Sequence, residues 1–206
     1  VLLAPGERLE LLVQGESQHY ALNLLPYNRH RMMSPPAEVA SVIADIDFTP
    51  QSAPVKPGQE LRRIEALPPG NNPLRAMMSE KMADIMKNKA SGIPPKGAFL
   101  INGKSFDVNR MDLHSIAEQV DNWQVINATT MDHPFHIHGG QFQVVQRSLR
   151  GVKSSPDYLI WKDTINLQPG EVVMLRMRQT SPGMRMYHCH IIEHEELGMM
   201  GNLMVV

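Results

Sequence analysis

His188-Cys189-His190-Ile191-Ile192-Glu193-His194-Glu195-Glu196-Leu197-Gly198-Met199 is the stretch that decides the reading of this chain. Successive side chains of a strand point to opposite faces, so on a strand His188 and His190 share one face and Cys189 takes the other. A second stretch, His133-Pro134-Phe135-His136-Ile137-His138, has a related pattern: His136 and His138 share a face, and His133 has the opposite parity. Two such strands together make two sites. Cys189 and His133 meet on one side, and four histidines meet on the other. The loop residues His194 and Met199 join the Cys189 side. Two imidazoles, one thiolate and one thioether are the ligand set of a blue copper electron-transfer centre with a weak axial Met. Zinc also takes His and Cys, but it explains neither the four further histidines nor a positioned Met.

The His-Cys-His triplet also supplies a mechanism. Adjacent Cα atoms lie ~3.8 Å apart, so an electron arriving at a Cys-bound copper has a short covalent path to either neighbouring imidazole. A one-electron copper wired to a histidine-rich metal cluster suits the four-electron reduction of oxygen.

Composition agrees. The chain has 206 residues, 42% of them hydrophobic, and a formal net charge of −1, as in an ordinary globular protein. It has no basic block or acidic tail to suggest nucleic acid, and no apolar run near the ~18 residues of a membrane span. Cys189 is the single cysteine, so an internal disulfide is impossible. Six of the nine histidines fall in the two stretches, and fifteen methionines stand against five phenylalanines and two tryptophans. Thioether, imidazole and thiol together point to copper rather than magnesium or calcium. The chain opens on Val1 rather than Met, which reads as an internal cut.

Residues 1–47 give short extended segments at Leu9–Val13, His19–Leu25 and Ser41–Asp47, broken by Pro5-Gly6 and Pro35-Pro36. They amount to about half of a sandwich domain. Pro50 to Gly58 reads as a linker, bounded at 48–60. Residues 61–206 then form a C-terminal domain, with strands expected at Leu61–Leu67, Phe99–Ile101, Trp123–Ala128, Phe142–Arg147, Leu159–Leu167, Glu171–Arg178, Arg185–His190 and Asn202–Val206. Short strands separated by turn signals predict an all-β sandwich. Pro73–Lys89 is nearly free of β-branched residues and reads as helical. Met78, Met82 and Met86 would then line one helix face beside Met77. Such a stripe is either a packing surface of flexible side chains or a Cu(I)-staging lid, with Met131 and Asp132 as an electron-entry patch.

The two histidine stretches resemble the C-terminal copper signatures of multicopper oxidases, most closely the bacterial three-domain laccases and cuprous oxidases. Leu3-Ala4-Pro5-Gly6-Glu7-Arg8 resembles a recurring segment of that family's second domain. Phe99-Leu-Ile-Asn-Gly-Lys-Ser-Phe and Trp161-Lys162-Asp163-Thr164 resemble parts of its third domain. The resemblance implies a cupredoxin-like Greek-key β-sandwich, one full C-terminal domain plus part of a preceding one. It makes His133, Cys189 and His194 the type 1 copper ligands, with Met199 axial. It assigns His136 to type 2 copper, and His138, His188 and His190 to the type 3 pair. It gives Glu195 the place of an acid that helps pass protons to bound oxygen.

The family draws half of its trinuclear histidines from two His-X-His pairs in an N-terminal domain. His19, His30 and His114 are isolated in this sequence and read as surface or core residues. The chain is therefore expected not to reduce oxygen alone, and to work with an N-terminal multicopper oxidase domain, on the same polypeptide or as a severed chain. The resemblance implies oxidation of phenols, aromatic amines or metal ions coupled to O2, in the periplasm or outside the cell. A dedicated cuprous oxidase is the alternative, as is a non-enzymatic cupredoxin or scaffold.

Overall fold

The computed structural model describes residues 1–15, 18–30, 39–48, 63–88 and 93–206. The linker expected at 48–60 lies outside the described residues except for Phe48, as do the first two residues of the strand expected at Leu61–Leu67; its remaining residues are irregular. β1 (His19–Leu24) and β2 (Ser41–Asp47) form a separate antiparallel two-stranded sheet. Among the described residues neither of its faces is covered, and Leu22, Val42 and Ile43 are exposed. The strand expected at Leu9–Val13 is irregular backbone instead.

The remaining strands make two sheets. β3 (Asn72–Glu80), β4 (Phe99–Ile101), β6 (Val120–Asn127), β8 (Phe142–Leu149), β9 (Val152–Ser154) and β11 (Glu171–Arg178) form a six-stranded sheet ordered β4-β3-β6-β11-β8-β9. β5 (Leu113–Ser115), β7 (His133–Ile137), β10 (Thr164–Leu167), β12 (Gly183–Cys189) and β13 (Met200–Val205) form a five-stranded sheet ordered β10-β7-β12-β13-β5. Both contribute to one core, so the expected all-β sandwich is what forms. Its driving force is period-two patterning: Val173, Leu175 and Met177 of β11 turn inward while Val172, Met174 and Arg176 turn outward. Trp123 sits at the centre, edge-on to Tyr187 at 5.4 Å and tilted against Phe135 at 6.2 Å. All three rings are fully buried, and each contributes about 1.5–3 kcal/mol from burial alone.

Pro73–Lys89 is not one helix. Residues 72–80 are strand β3, and only Met82–Lys87 is helical, as α1. β3 is held between β4, antiparallel, and β6, parallel. Pairing on both edges overrides the helix preference of its Ala and Met residues. Leu74, Ala76 and Met78 alternate inward, a period-two signal masked in sequence by the unusual strand residues carrying it. The methionine stripe therefore does not exist as a helix face. Met78 is 0% exposed in the core, while Met86 is 49% exposed on α1.

This division predicts unequal costs. Met78→Ala should destabilise the protein by about 2–4 kcal/mol through a core cavity. Met86→Ala should stay within about 0.5 kcal/mol of wild type. Denaturant unfolding of the two variants checks the difference, and equal costs would contradict the placement.

Candidate metal centres

The register between β7 and β12 builds both groups. His188 lies opposite His136, Tyr187 opposite Ile137, and Cys189 opposite Phe135. Directly opposed residues share a face, so Phe135, Ile137, Tyr187 and Cys189 enter the core while His136 and His188 point the other way. His133, two residues before Phe135, follows the core parity and is fully buried.

In the core group, His133 Nδ1 lies 3.3 Å and His194 Nδ1 3.8 Å from Cys189 Sγ, and the two Nδ1 atoms are 3.3 Å apart. His194 comes from a short helix rather than a loop, α2 (Ile192–Glu196), and its ring stacks on Phe99 at 4.0 Å. The Ile191 N–H donates to Cys189 Sγ at 3.5 Å. Met199 is fully buried in the same core. Its carbonyl accepts from Cys189 N–H and its own N–H donates to the His194 carbonyl, which holds it beside both ligands.

Burial pushes the Cys189 thiol well above its ordinary range. Burial disfavours a thiolate in this pocket unless a cation stands alongside it. A soft metal fits that demand and the donor set together.

The second group gathers His136, His138 and His188, whose ligand atoms lie within 4.8 Å of one another. His138 Nε2 and His188 Nε2 face each other at 2.9 Å. His136 Nδ1 donates to the Asp163 carbonyl at 2.8 Å, and His188 Nδ1 to the Cys189 carbonyl at 2.9 Å. A carbonyl only accepts, so both rings carry the proton on Nδ1 and offer Nε2. His190 stands at the edge of the group, its ring centroid 5.5 Å from those of His136 and His188. Burial, then the neighbouring His188 and His138, lowers His136 to about 4. Burial also lowers His138 and His188. The lowering at His136, His138 and His188 favours the neutral rings, which can take a cation without first losing a proton.

Glu195 Oε2 lies 3.2 Å from His188 Nδ1, against the side of that ring turned away from His138. His19 and His30 pair with Asp47 and Asp132, His114 lies on β5, and all three stand outside both groups. The supporting roles of several residues are not visible in the sequence pattern. Asp132 is buried and accepts from Tyr27 at 2.8 Å and Asn166 at 2.8 Å, which ties the approach to His133 to the segment before β2. Asn127 donates to the Met131 and Leu167 carbonyls and closes the turn into β7. Glu80 Oε1 lies 3.3 Å from His133 Nε2.

A multicopper oxidase family profile matches residues 68–206. A multicopper oxidase of Staphylococcus aureus is 43% identical over 109 residues, covering 51% of this chain and 24% of the relative. The match thus spans about a quarter of the length of the staphylococcal relatives. A multicopper oxidase from Campylobacter jejuni, described as a metallo-oxidase, is similar in structure with a TM-score of 0.82 at 38% identity, over 91% of this chain and 41% of that one. A laccase from Pediococcus acidilactici aligns with a TM-score of 0.58 at 36% identity, over 71% of this chain and 30% of that one. The shared architecture is the cupredoxin-like sandwich.

The lowered His136 value has a measurable sign. Between pH about 4 and the ordinary 6.5 the unfolded chain binds more protons at this residue than the folded one, so stability rises with pH across that window. Metal-free protein should lose stability as pH falls from 6.5 toward 4, and His136→Gln should flatten that dependence. Denaturant midpoints measured against pH check it; an unchanged slope in the variant would count against a neutral, buried His136.

Proposed function

Because the chain belongs to the multicopper oxidase family, whose members use copper, we propose that it carries the type 1 site and half of the trinuclear site of an oxidase with O2 as acceptor. His133, Cys189 and His194 hold type 1 copper with Met199 axial. His136 serves type 2 copper, and His138, His188 and His190 serve the type 3 pair. An N-terminal domain, on the same polypeptide or as a severed chain, supplies the other histidines. In this reading residues 1–47 belong to the preceding cupredoxin-like domain, 48–60 to a linker and 61–206 to the C-terminal domain.

One observation carries the reading. The core group and the four-histidine group lie back to back across a single peptide, His188–Cys189, and His188 Nδ1 also donates to the Cys189 carbonyl at 2.9 Å. Copper, once bound, supplies reversible one-electron storage at one group and reduction of O2 to water at the other. Cys189 gives the covalent link between them. The buried core around it excludes water, and Phe99 and Asn127 hold the flanking ligands in place. Glu195, whose Oε2 lies 3.2 Å from His188 Nδ1, is the acid placed to pass protons toward the oxygen side.

The reducing substrate is a phenol, an aromatic amine or a metal ion. Similarity to the Campylobacter jejuni metallo-oxidase across 91% of this chain favours a metal ion such as Cu(I). The location follows as the periplasm or outside the cell. Among the described residues no helix is long and apolar enough to cross a membrane.

Cys189→Ser in the full-length, copper-loaded protein should abolish the blue absorption while the four-histidine site still takes up metal. Absorption spectra with copper counts decide this, and a serine variant that stays blue would falsify the assignment. Met199→Leu should retain type 1 copper at a raised reduction potential, because a long, weak donor to Cu(II) is lost. A redox titration giving an unchanged or lowered potential would remove Met199 from the axial place. Turnover compared on Cu(I) and on a phenol separates the two substrate classes.

A further inference from the structure

The segment preceding β1 reaches the four-histidine group. Residues 4–7 close a tight turn in which Glu7 N–H donates to the Ala4 carbonyl and Ala4 N–H donates to Glu7 Oε2, both at 3.0 Å. Gly6 sits in the left-handed region at φ +83. A Cβ on Gly6 would stand 2.4 Å from His190 Cδ2 and 2.7 Å from its Nε2, so bare backbone packs against that imidazole. Glu7 Oε1 accepts from Lys162 Nζ at 2.6 Å. Arg8 Nη1 donates to Asp163 Oδ1 at 2.6 Å and to the Gly6 carbonyl at 2.9 Å. Asp163 Oδ1 also accepts from Thr164 Oγ1 at 3.0 Å, and that hydroxyl oxygen lies 3.0 Å from His136 Nδ1. The chain of contacts is continuous: Arg8 to the Asp163 carboxylate, to the Thr164 hydroxyl, to His136.

We propose that the turn at residues 4–8 is a positioning clamp of the four-histidine copper site. Arg8, acting through Asp163 and Thr164, fixes the ring and the Nδ1–H tautomer of His136, and Gly6 seats the ring of His190. This rests on the copper reading above and adds residues to which that reading gives no part. The Arg8 side chain is 63% exposed, so its ion pair contributes little to stability. Groups that orient a ligating His, by contrast, typically change metal affinity or activity by roughly 10–100-fold when removed. Removing Arg8 therefore separates the two roles: positioning predicts a large local effect on copper, and packing predicts almost none.

The experiment uses the full-length, copper-loaded protein and reads the type 1 and type 2 electron paramagnetic resonance signals, copper retained against a chelator, and the thermal midpoint. Arg8→Gln should change the type 2 signal and weaken retention of that copper by roughly 10–100-fold, leaving the type 1 signal, blue absorption and thermal midpoint as in wild type. Arg8→Lys should restore part of the loss. Gly6→Ala should deplete type 3 copper; because φ +83 strains any alanine there, Arg8→Gln is the deciding variant. An Arg8→Gln protein with wild-type type 2 signal and retention overturns the clamp alone. Parallel loss of both signals with a lowered thermal midpoint also overturns it, in favour of packing. A wild-type protein lacking any type 2 signal overturns the copper assignment itself, and the clamp with it.

Discussion

The antiparallel register of β7 against β12 is the constraint on which the rest depends. With Cys189 opposite Phe135 and His188 opposite His136, one strand pair serves two faces with different chemistry. A slip of one residue would send the thiol outward and an imidazole into the core, since strand side chains alternate strictly. The register is held by burial. Phe135, Ile137 and Tyr187 each have one place to go, and Trp123 fills the space between them. The same aromatic packing that stabilises the sandwich therefore sorts the ligands into their groups.

Around that pair the fold supplies rigidity from several directions. Phe99 on β4 stacks on His194, Asn127 at the end of β6 closes the turn into His133, and the segment before β2 pins Asp132. None of these residues offers a ligand atom to either group, yet each limits the freedom of one that does. Orientation of a ligating ring depends on such partners as much as on the ring itself. Segments distant in sequence thus converge on a few ångströms of space.

Both groups were legible in the sequence: strand parity assigns a face to His133, His136, His138, His188 and Cys189, whereas His194, on α2, and Met199 were placed only by completing a copper donor set. The strands at Phe99–Ile101 and Glu171–Arg178 were legible with their bounds, the first as a short run of consecutive apolar residues and the second because Val173, Leu175 and Met177 recur at the strand period. Residues 72–80 were not. Ala76, Met77 and Met78 carry a helix preference, and only pairing on both edges makes them a strand. β5 and β9, three residues each, are defined by their neighbours rather than by any pattern of their own. The roles of Gly6, Arg8, Asp132 and Asn127 were also hidden. They depend on approach across long loops, which no local period encodes, although Gly6, Arg8 and Asp163 lie in segments whose family resemblance marked them.

The burial of Cys189 carries a consequence for the protein before it meets metal. Peroxide and alkylating reagents attack thiolates in solvent, and this sulfur is neither ionised nor reachable while the sandwich is folded. Oxidation to sulfenic and higher acids, which would consume the thiol, must wait for the fold to open. The sandwich is thus a redox shelter for this sulfur: the folded protein keeps the thiol intact when oxidants are present, and its chemical lifetime follows the rate of unfolding.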